Sequence, residues 1–229
     1  MLKKGIVILI PAYEPDISFV KLIFNIKKDV ENIIVVDDGS GEKYRDIFEQ
    51  ISDICVVLHH SVNLGKGCAL KTGFSYIKNH FSSYIVVTMD CDGQHTISDA
   101  LSLAEYNQYH MNSLVLGSRK LDKRVPMRSK FGNVITRFIF FLFTGVKVYD
   151  TQTGLRSFSD ELMDFMLSID GDRFEYEINV LLQCTRSKVL IHEEWIQTIY
   201  LNNNAGSHFE TFRDSFKIYK QIFRFLFHQ

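Results

Sequence analysis

Short apolar runs alternate with amphipathic stretches through the first half of the chain. Residues 6–10 form an apolar, β-branched run that predicts a buried strand, ending at Pro11-Ala12-Tyr13-Glu14-Pro15-Asp16. Residues 17–26 carry apolar side chains at helical spacing, with Asp16 or Ser18 as the cap. A second strand is predicted over 32–36, ending at Asp37-Asp38-Gly39-Ser40, then a short helix over 44–51. A third strand over 54–58 leads into the loop Asn63-Leu64-Gly65-Lys66-Gly67. A helix over 68–80, a strand over 84–89, a helix over 98–109 capped by Ser98, and a strand over 114–116 follow, the last ending at Gly117-Ser118-Arg119.

Apolar strands alternating with helices imply an α/β fold, a mainly parallel sheet covered on both faces. Ligands of such sheets bind at the C-terminal ends of the strands. Polar clusters stand there after the first, second, fourth and fifth predicted strands.

Composition narrows the class. The chain has 229 residues, 46% hydrophobic and 23% charged, which suits one large domain or an α/β domain with a small appendage. A net charge of −1 speaks against a nucleic-acid partner, which would require a basic excess. The cysteines Cys55, Cys68, Cys91 and Cys184 show no C-x-x-C pairing and read as reduced thiols of a cytoplasmic chain. The apolar run before Pro11 is too short for a signal peptide, and no run is long enough to span a bilayer.

The densest chemistry is Asp90-Cys91-Asp92-Gly93-Gln94-His95. In extended chain Asp90 and Asp92 project to one side, and two converging carboxylates repel unless a cation lies between them. Oxygen ligands suit Mg²⁺ or Mn²⁺, Gln94 could add a neutral oxygen, and Gly93 permits a sharp turn. The plainer alternative is a polar strand exit whose aspartates cap the next helix. Lys66 reads two ways as well: an ammonium at a helix start that favours an anion, or a solvated lysine in a glycine turn. It does not complete a Walker A loop, which continues Gly-Lys with Ser or Thr.

IPAY, VVDDGS, NLGKGCALKTG, DCDGQH, GSR, DTQTGLR and FEYE, in that order, resemble glycosyltransferase family 2, and its dolichyl- or polyprenyl-phosphate sugar transferase branch. The resemblance implies a GT-A fold, a Rossmann-like sheet, and an inverting transfer from a UDP- or GDP-sugar. It implies that Pro11, Ala12, Tyr13, Glu14, Asp37, Asp38, Lys66, Asp90, Cys91 and Arg119 bind the nucleotide sugar. Asp90, Asp92 and Gln94 would hold the metal. Asp92, Arg119, Asp150, Glu175 and Glu177 would form the catalytic set, and Thr153, Gly154 and Arg156 the acceptor wall, with Arg128 and Lys130 beside it. The chain departs from the family in reading Glu14-Pro15 where Asn-Glu is common, and Thr96 where Pro often follows the metal motif.

The acceptor sets the mechanism. A phosphate monoester is largely ionised at neutral pH and needs cations to place it but no strong base. A sugar hydroxyl would need a general base, and Asp150, Glu175 or Glu177 could serve. Arg119, Arg128, Lys130 and Arg156 favour the polyprenyl phosphate. The alternatives are a saccharide hydroxyl acceptor in polysaccharide assembly and a non-catalytic nucleotide-sugar-binding subunit. For Glu175 and Glu177 the plainer alternative is helix-start electrostatics.

Residues 131–146 are apolar nearly all round, which suits a buried helix or one that dips into a membrane interface. Phe209, Phe212, Phe216, Tyr219, Phe223 and Leu226 fall three or four apart, with Arg213, Lys217, Lys220 and Arg224 at similar spacing. That pattern fits a membrane-surface helix at the cytoplasmic face, a domain-closing helix or a homo-oligomer contact. The expected organisation is a catalytic domain over 1–206 and an amphipathic helix over 207–229.

Overall fold

A computed structural model describes residues 4–119 and 127–197 of the chain; the predicted helix over 207–229 lies outside them. The first half runs β1 (Gly5–Ala12), α1 (Ser18–Lys27), β2 (Asn32–Asp37), α2 (Arg45–Glu49), β3 (Val56–His59), α3 (Lys66–His80) and β4 (Tyr84–Thr88). The second half runs α4 (Ile97–Tyr109), β5 (Ser113–Arg119), α5 (Met127–Thr144), β6 (Arg156–Ser159), α6 (Met163–Ser168), α7 (Glu175–Arg186) and β7 (Leu190–Ile196).

The strands form one seven-stranded sheet in the order β3-β2-β1-β4-β6-β5-β7. Only β6 runs antiparallel to its neighbours, β4 and β5. The exits of β1, β2, β4 and β5 therefore gather at one rim, and the start of β6 joins them, with Arg156 paired to Thr88.

Alternation along the strands feeds two cores. On one face Val7, Leu9, Ile34, Val36 and Val86 meet Leu70, Phe74 and Ile77 of α3 and Tyr176 and Leu181 of α7. On the other, Ile8, Ile10, Val35 and Val87 meet Phe19 and Ile23 of α1, Phe48 of α2 and Leu103 of α4. Phe74 and Phe158 pack edge to face, with ring centroids 5.2 Å apart, and tie α3 to β6.

Several expected boundaries shift for local reasons. Asp16 Oδ1 accepts the Ser18 N–H at 2.6 Å, so Asp16 serves the start of α1. Thr96, not Ser98, caps α4: its hydroxyl oxygen accepts the Asp99 N–H at 3.0 Å, and Ser98 lies inside the helix. β3 begins at Val56 because the Cys55 N–H still donates to Ile51 at the end of the preceding turn. α3 begins at Lys66, which makes that lysine its first helical residue.

α5 is one continuous helix. Phe140 is fully buried on the core, while Phe138 is 64% exposed and Leu142 63%. The helix is thus buried along one side and exposed along the other. Among the described residues no helix is long and apolar enough to cross a membrane.

Phe74→Ala should cost about 3–5 kcal/mol in urea unfolding, the range for removing a buried ring. A loss below ~1 kcal/mol would contradict the packing of α3 on β6 through this ring pair.

Candidate active site

The rim is an extension of the sheet. The Asp38 N–H donates to the Ala12 carbonyl at 2.8 Å and the Met89 N–H to that of Leu9 at 3.0 Å, so the ladder continues past the strand ends. Pro11 and Ala12 are buried in it, while Tyr13 and Glu14 are half-buried beyond it. The Glu14 N–H donates to Ser40 Oγ at 2.8 Å, joining the exits of β1 and β2. Glu14 takes a left-handed φ of 48°, a conformation that the family's usual Asn accepts more readily.

At the centre stands Lys66. Its ammonium lies 2.7 Å from Asp90 Oδ1 and 2.8 Å from Glu177 Oε1. This contact joins the glycine loop before α3, the exit of β4 and the first turn of α7. Burial opposes its charge, but the two carboxylates outweigh that and hold its pKa above the ordinary lysine range. Burial likewise opposes the charge on Asp90, and Lys66 with His95 overcomes it, holding that carboxyl far below the usual range. His95 Nε2 lies 3.3 Å from Asp90 Oδ2. Gly154 presses against the same carboxylate: a Cβ there would stand 2.4 Å from both oxygens, so only glycine fits.

Asp92 differs from its neighbour. Burial raises its pKa and the Asp90 charge raises it further, while the Gln94 N–H donates to its Oδ1 at 3.0 Å. Cys91, between them, is pushed up to about 12 by burial and then by both aspartates, which makes it a poor nucleophile.

A second ion pair closes the β5 side. Arg119 Nε donates to Asp150 Oδ2 at 2.7 Å and Nη2 to Oδ1 at 3.2 Å, a two-pronged contact to a carboxylate with no solvent exposure. Burial opposes the charge on Asp150, but Arg119 outweighs it and lowers the pKa. Glu193 of β7 underlies this pair, accepting the N–H of Tyr149 at 2.9 Å and of Asp150 at 3.2 Å, and bonding the Ser118 hydroxyl.

The structure does not bring every expected residue to the rim. Thr153 and Arg156, at the rim end of β6, are buried, 1% and 5% exposed. Arg156 donates to the carbonyls of Thr153 at 2.9 Å and Glu177 at 2.8 Å and so straps β6 to α7. Glu175 accepts the N–H groups of Asp172 and Arg173 at 3.2 Å each, the helix-start role, whereas Glu177 reaches Lys66. Asp37 accepts the Ser40 N–H and meets His59, both at 2.9 Å. Arg128 and Lys130 fall in the first turns of α5, and their side chains lie outside the described residues. His60, His95 and Glu193 had no role assigned from sequence; His95 closes the DCDGQH motif, and that place is the signal that could have marked it.

The chain's residues 8–168 match the family model "Glycosyl transferase family 2". The chain belongs to glycosyltransferase family 2. An uncharacterised protein of Methanocaldococcus jannaschii is 31% identical over 204 residues, covering 86% of this chain and 83% of that protein. The UDP-N-acetylglucosamine–dolichyl-phosphate N-acetylglucosaminyltransferase of Methanococcus voltae is 30% identical over 221 residues, covering 87% and 88%. Among solved structures, glucosyl-3-phosphoglycerate synthase of Mycobacterium tuberculosis, in complex with Mn²⁺, UDP-glucose and phosphoglyceric acid, superposes with a TM-score of 0.73. It covers 97% of this chain and 80% of its own at 16% identity, which establishes the shared GT-A fold.

The donor set of this glycosyltransferase suits a divalent cation at one point. Among the described residues no group of three or more His, Cys, Asp or Glu forms a metal cage. Asp92 is nonetheless a half-buried carboxylate whose charge is disfavoured by desolvation and then by Asp90, so a cation at its oxygens would stabilise it. Few protein ligands and several waters are the ordinary surroundings of Mg²⁺.

Because the folded pKa of Asp150 is depressed, its contribution to stability is present above the unfolded value of about 4 and lost as pH falls through the folded value. Asp150→Asn should therefore cost roughly 3 kcal/mol at pH ~7, with the gap to wild type closing below pH ~4. An equal gap at both pH values in urea unfolding would contradict the Arg119–Asp150 pairing.

Proposed function

We propose that this glycosyltransferase moves a sugar, with inversion, from a nucleoside diphosphate sugar to a polyprenyl phosphate. The carrying observation is that the carboxylates expected to act as a base are already engaged. Asp150 is paired with Arg119, Glu177 with Lys66, and Glu175 with backbone N–H groups. A carboxylate held below its usual pKa by an arginine is a weak base, which disfavours a hydroxyl acceptor. An ionised phosphate needs none.

In this reading a phosphate oxygen of the acceptor attacks the anomeric carbon from the face opposite the leaving group. The bond from that carbon to the β-phosphate oxygen breaks, and its electron pair leaves with the nucleoside diphosphate. Lys66 exchanges its contact with Asp90 for the departing diphosphate, and Arg119 faces the phosphate of donor or acceptor. Pro11, Ala12, Tyr13 and Asp38, with Asp37 supporting it, line the nucleoside side. Asp92, with Asp90 and Gln94, would hold Mg²⁺ or Mn²⁺, which supplies positive charge to neutralise the leaving group. The dolichyl-phosphate specificity of the Methanococcus voltae relative, with UDP-N-acetylglucosamine as donor, supports the choice of acceptor. So does the outer face of α5, where Val134, Phe138, Phe141 and Leu142 are exposed at helical spacing. Such a face suits a peripheral protein at the cytoplasmic surface of a membrane.

Incubation of radiolabelled UDP-N-acetylglucosamine, UDP-glucose or GDP-mannose with dolichyl or undecaprenyl phosphate should give label in a lipid-extractable, acid-labile product. Label only on saccharide acceptors would overturn the lipid-phosphate reading. Asp92→Asn should reduce metal-stimulated turnover by about 100-fold or more with an unchanged unfolding curve. A variant with near-wild-type turnover would refute the metal role of Asp92.

A further inference from the structure

β7 lies C-terminal to residues 8–168, the segment that the family model matches, and it carries a side chain with no assigned role. Glu193 stands opposite Leu116 in the parallel ladder with β5, which ends with Arg119 opposite Ile196. Its carboxylate faces the connection between α5 and β6. Oε1 accepts the N–H of Tyr149 at 2.9 Å and of Asp150 at 3.2 Å, and Oε2 shares the Tyr149 N–H at 3.0 Å. The Ser118 hydroxyl donates to Oε1 as well. Trp195, also on β7, meets the Tyr149 ring edge to face, with ring centroids 5.3 Å apart.

Donors from two elements converge here on one acceptor group, and a carboxylate suits that, having acceptor sites on both oxygens and no hydrogen of its own. A glutamine of the same length would set an NH₂ group against the Tyr149 N–H. The clamp matters because Tyr149 and Asp150 lie outside the strands, where ladder bonds do not hold them. Asp150 in turn takes the Arg119 fork, Nε on Oδ2 at 2.7 Å and Nη2 on Oδ1 at 3.2 Å. A planar guanidinium gripped at two points has its plane set by the carboxylate that grips it. The contacts thus run from Glu193 through the 149–150 backbone to Asp150, and on to an Arg119 side chain that is 29% exposed at the rim.

We propose that Glu193 is a positioning residue for a substrate phosphate: it clamps the Tyr149–Asp150 backbone, and Asp150 passes that placement on to the Arg119 guanidinium. The proposal rests on the reading that Arg119 meets a phosphate, of acceptor or of donor. A tilt of the guanidinium plane is felt by that phosphate, so one substrate loses affinity and the other keeps it.

Steady-state kinetics on the full chain tests this, with KM measured separately for the nucleotide sugar and for the dolichyl or undecaprenyl phosphate that wild type turns over. Arg119→Lys identifies the phosphate, because an ammonium makes no fork: the KM that rises belongs to the substrate Arg119 meets. Glu193→Gln should raise that same KM by about tenfold and leave the other within about twofold. Ser118→Ala, which removes one donor of the clamp, should move the same KM in the same direction by about threefold. In an Arg119→Lys background Glu193→Gln should add less than about twofold, since a point charge has no plane to misalign. Amide exchange of Tyr149 and Asp150 should accelerate in Glu193→Gln. Equal rises in both KM values, no rise in either, or additive losses with Arg119→Lys would overturn the proposal. An Arg119→Lys enzyme with both KM values at the wild-type level would sink the reading of Arg119, and the proposal with it. If wild type uses only saccharide acceptors, the lipid-phosphate reading alone fails, and the KM of the nucleotide sugar then decides the role of Glu193. Where a variant turns over too slowly, calorimetric binding constants of the same two substrates replace the KM values. Should Glu193→Gln fail to fold, Ser118→Ala carries the same comparison.

Discussion

One ammonium holds the rim of this sheet together. Lys66 lies between Asp90 and Glu177, and those three residues come from three separate elements: the start of α3, the exit of β4 and the first turn of α7. Removing Lys66 would leave Asp90 and Glu177 as unpaired like charges, a loss of roughly 3–5 kcal/mol in comparable cases. The close approach of Gly154 to Asp90 and the strap from Arg156 to the Glu177 carbonyl both depend on that geometry.

The same contact divides the two aspartates of the DCD motif. Asp90 is compensated by Lys66 and His95, and its charge is secure. Asp92 is desolvated and also feels the Asp90 charge, and its proton affinity rises. A site built this way is poised for a ligand pair of opposite sign: anionic phosphate for Lys66, cation for Asp92. At the other end of the rim Arg119 and Asp150 hold each other, with Glu193 beneath them fixing the Tyr149–Asp150 backbone. Charge at both ends is placed by buried partners, which limits reorganisation when charge develops on a leaving group.

Much of this was legible in the sequence. β1, β2 and β4 are buried on both faces, so they read as continuous apolar runs, and their polar exits mark the rim. β6 and β7 gave no such signal. β6 is four residues, Arg-Ser-Phe-Ser, inserted antiparallel between two strands, and β7 is an edge strand carrying His192, Glu193 and Glu194. Sequence motifs also cannot tell a polar residue that lines a site from one that braces it. Thr153 and Arg156 match family motifs yet are buried and bonded to backbone, while His60, outside any motif, meets Asp38 and Thr72.

The most direct measurement is a crystal structure of the protein soaked with Mn²⁺ and UDP-N-acetylglucosamine or a GDP-sugar. The account predicts the diphosphate against Lys66, a metal peak at Asp92, and Lys66 drawn away from Asp90. A rim that stays vacant while nucleotide and metal bind elsewhere on the molecule would contradict it.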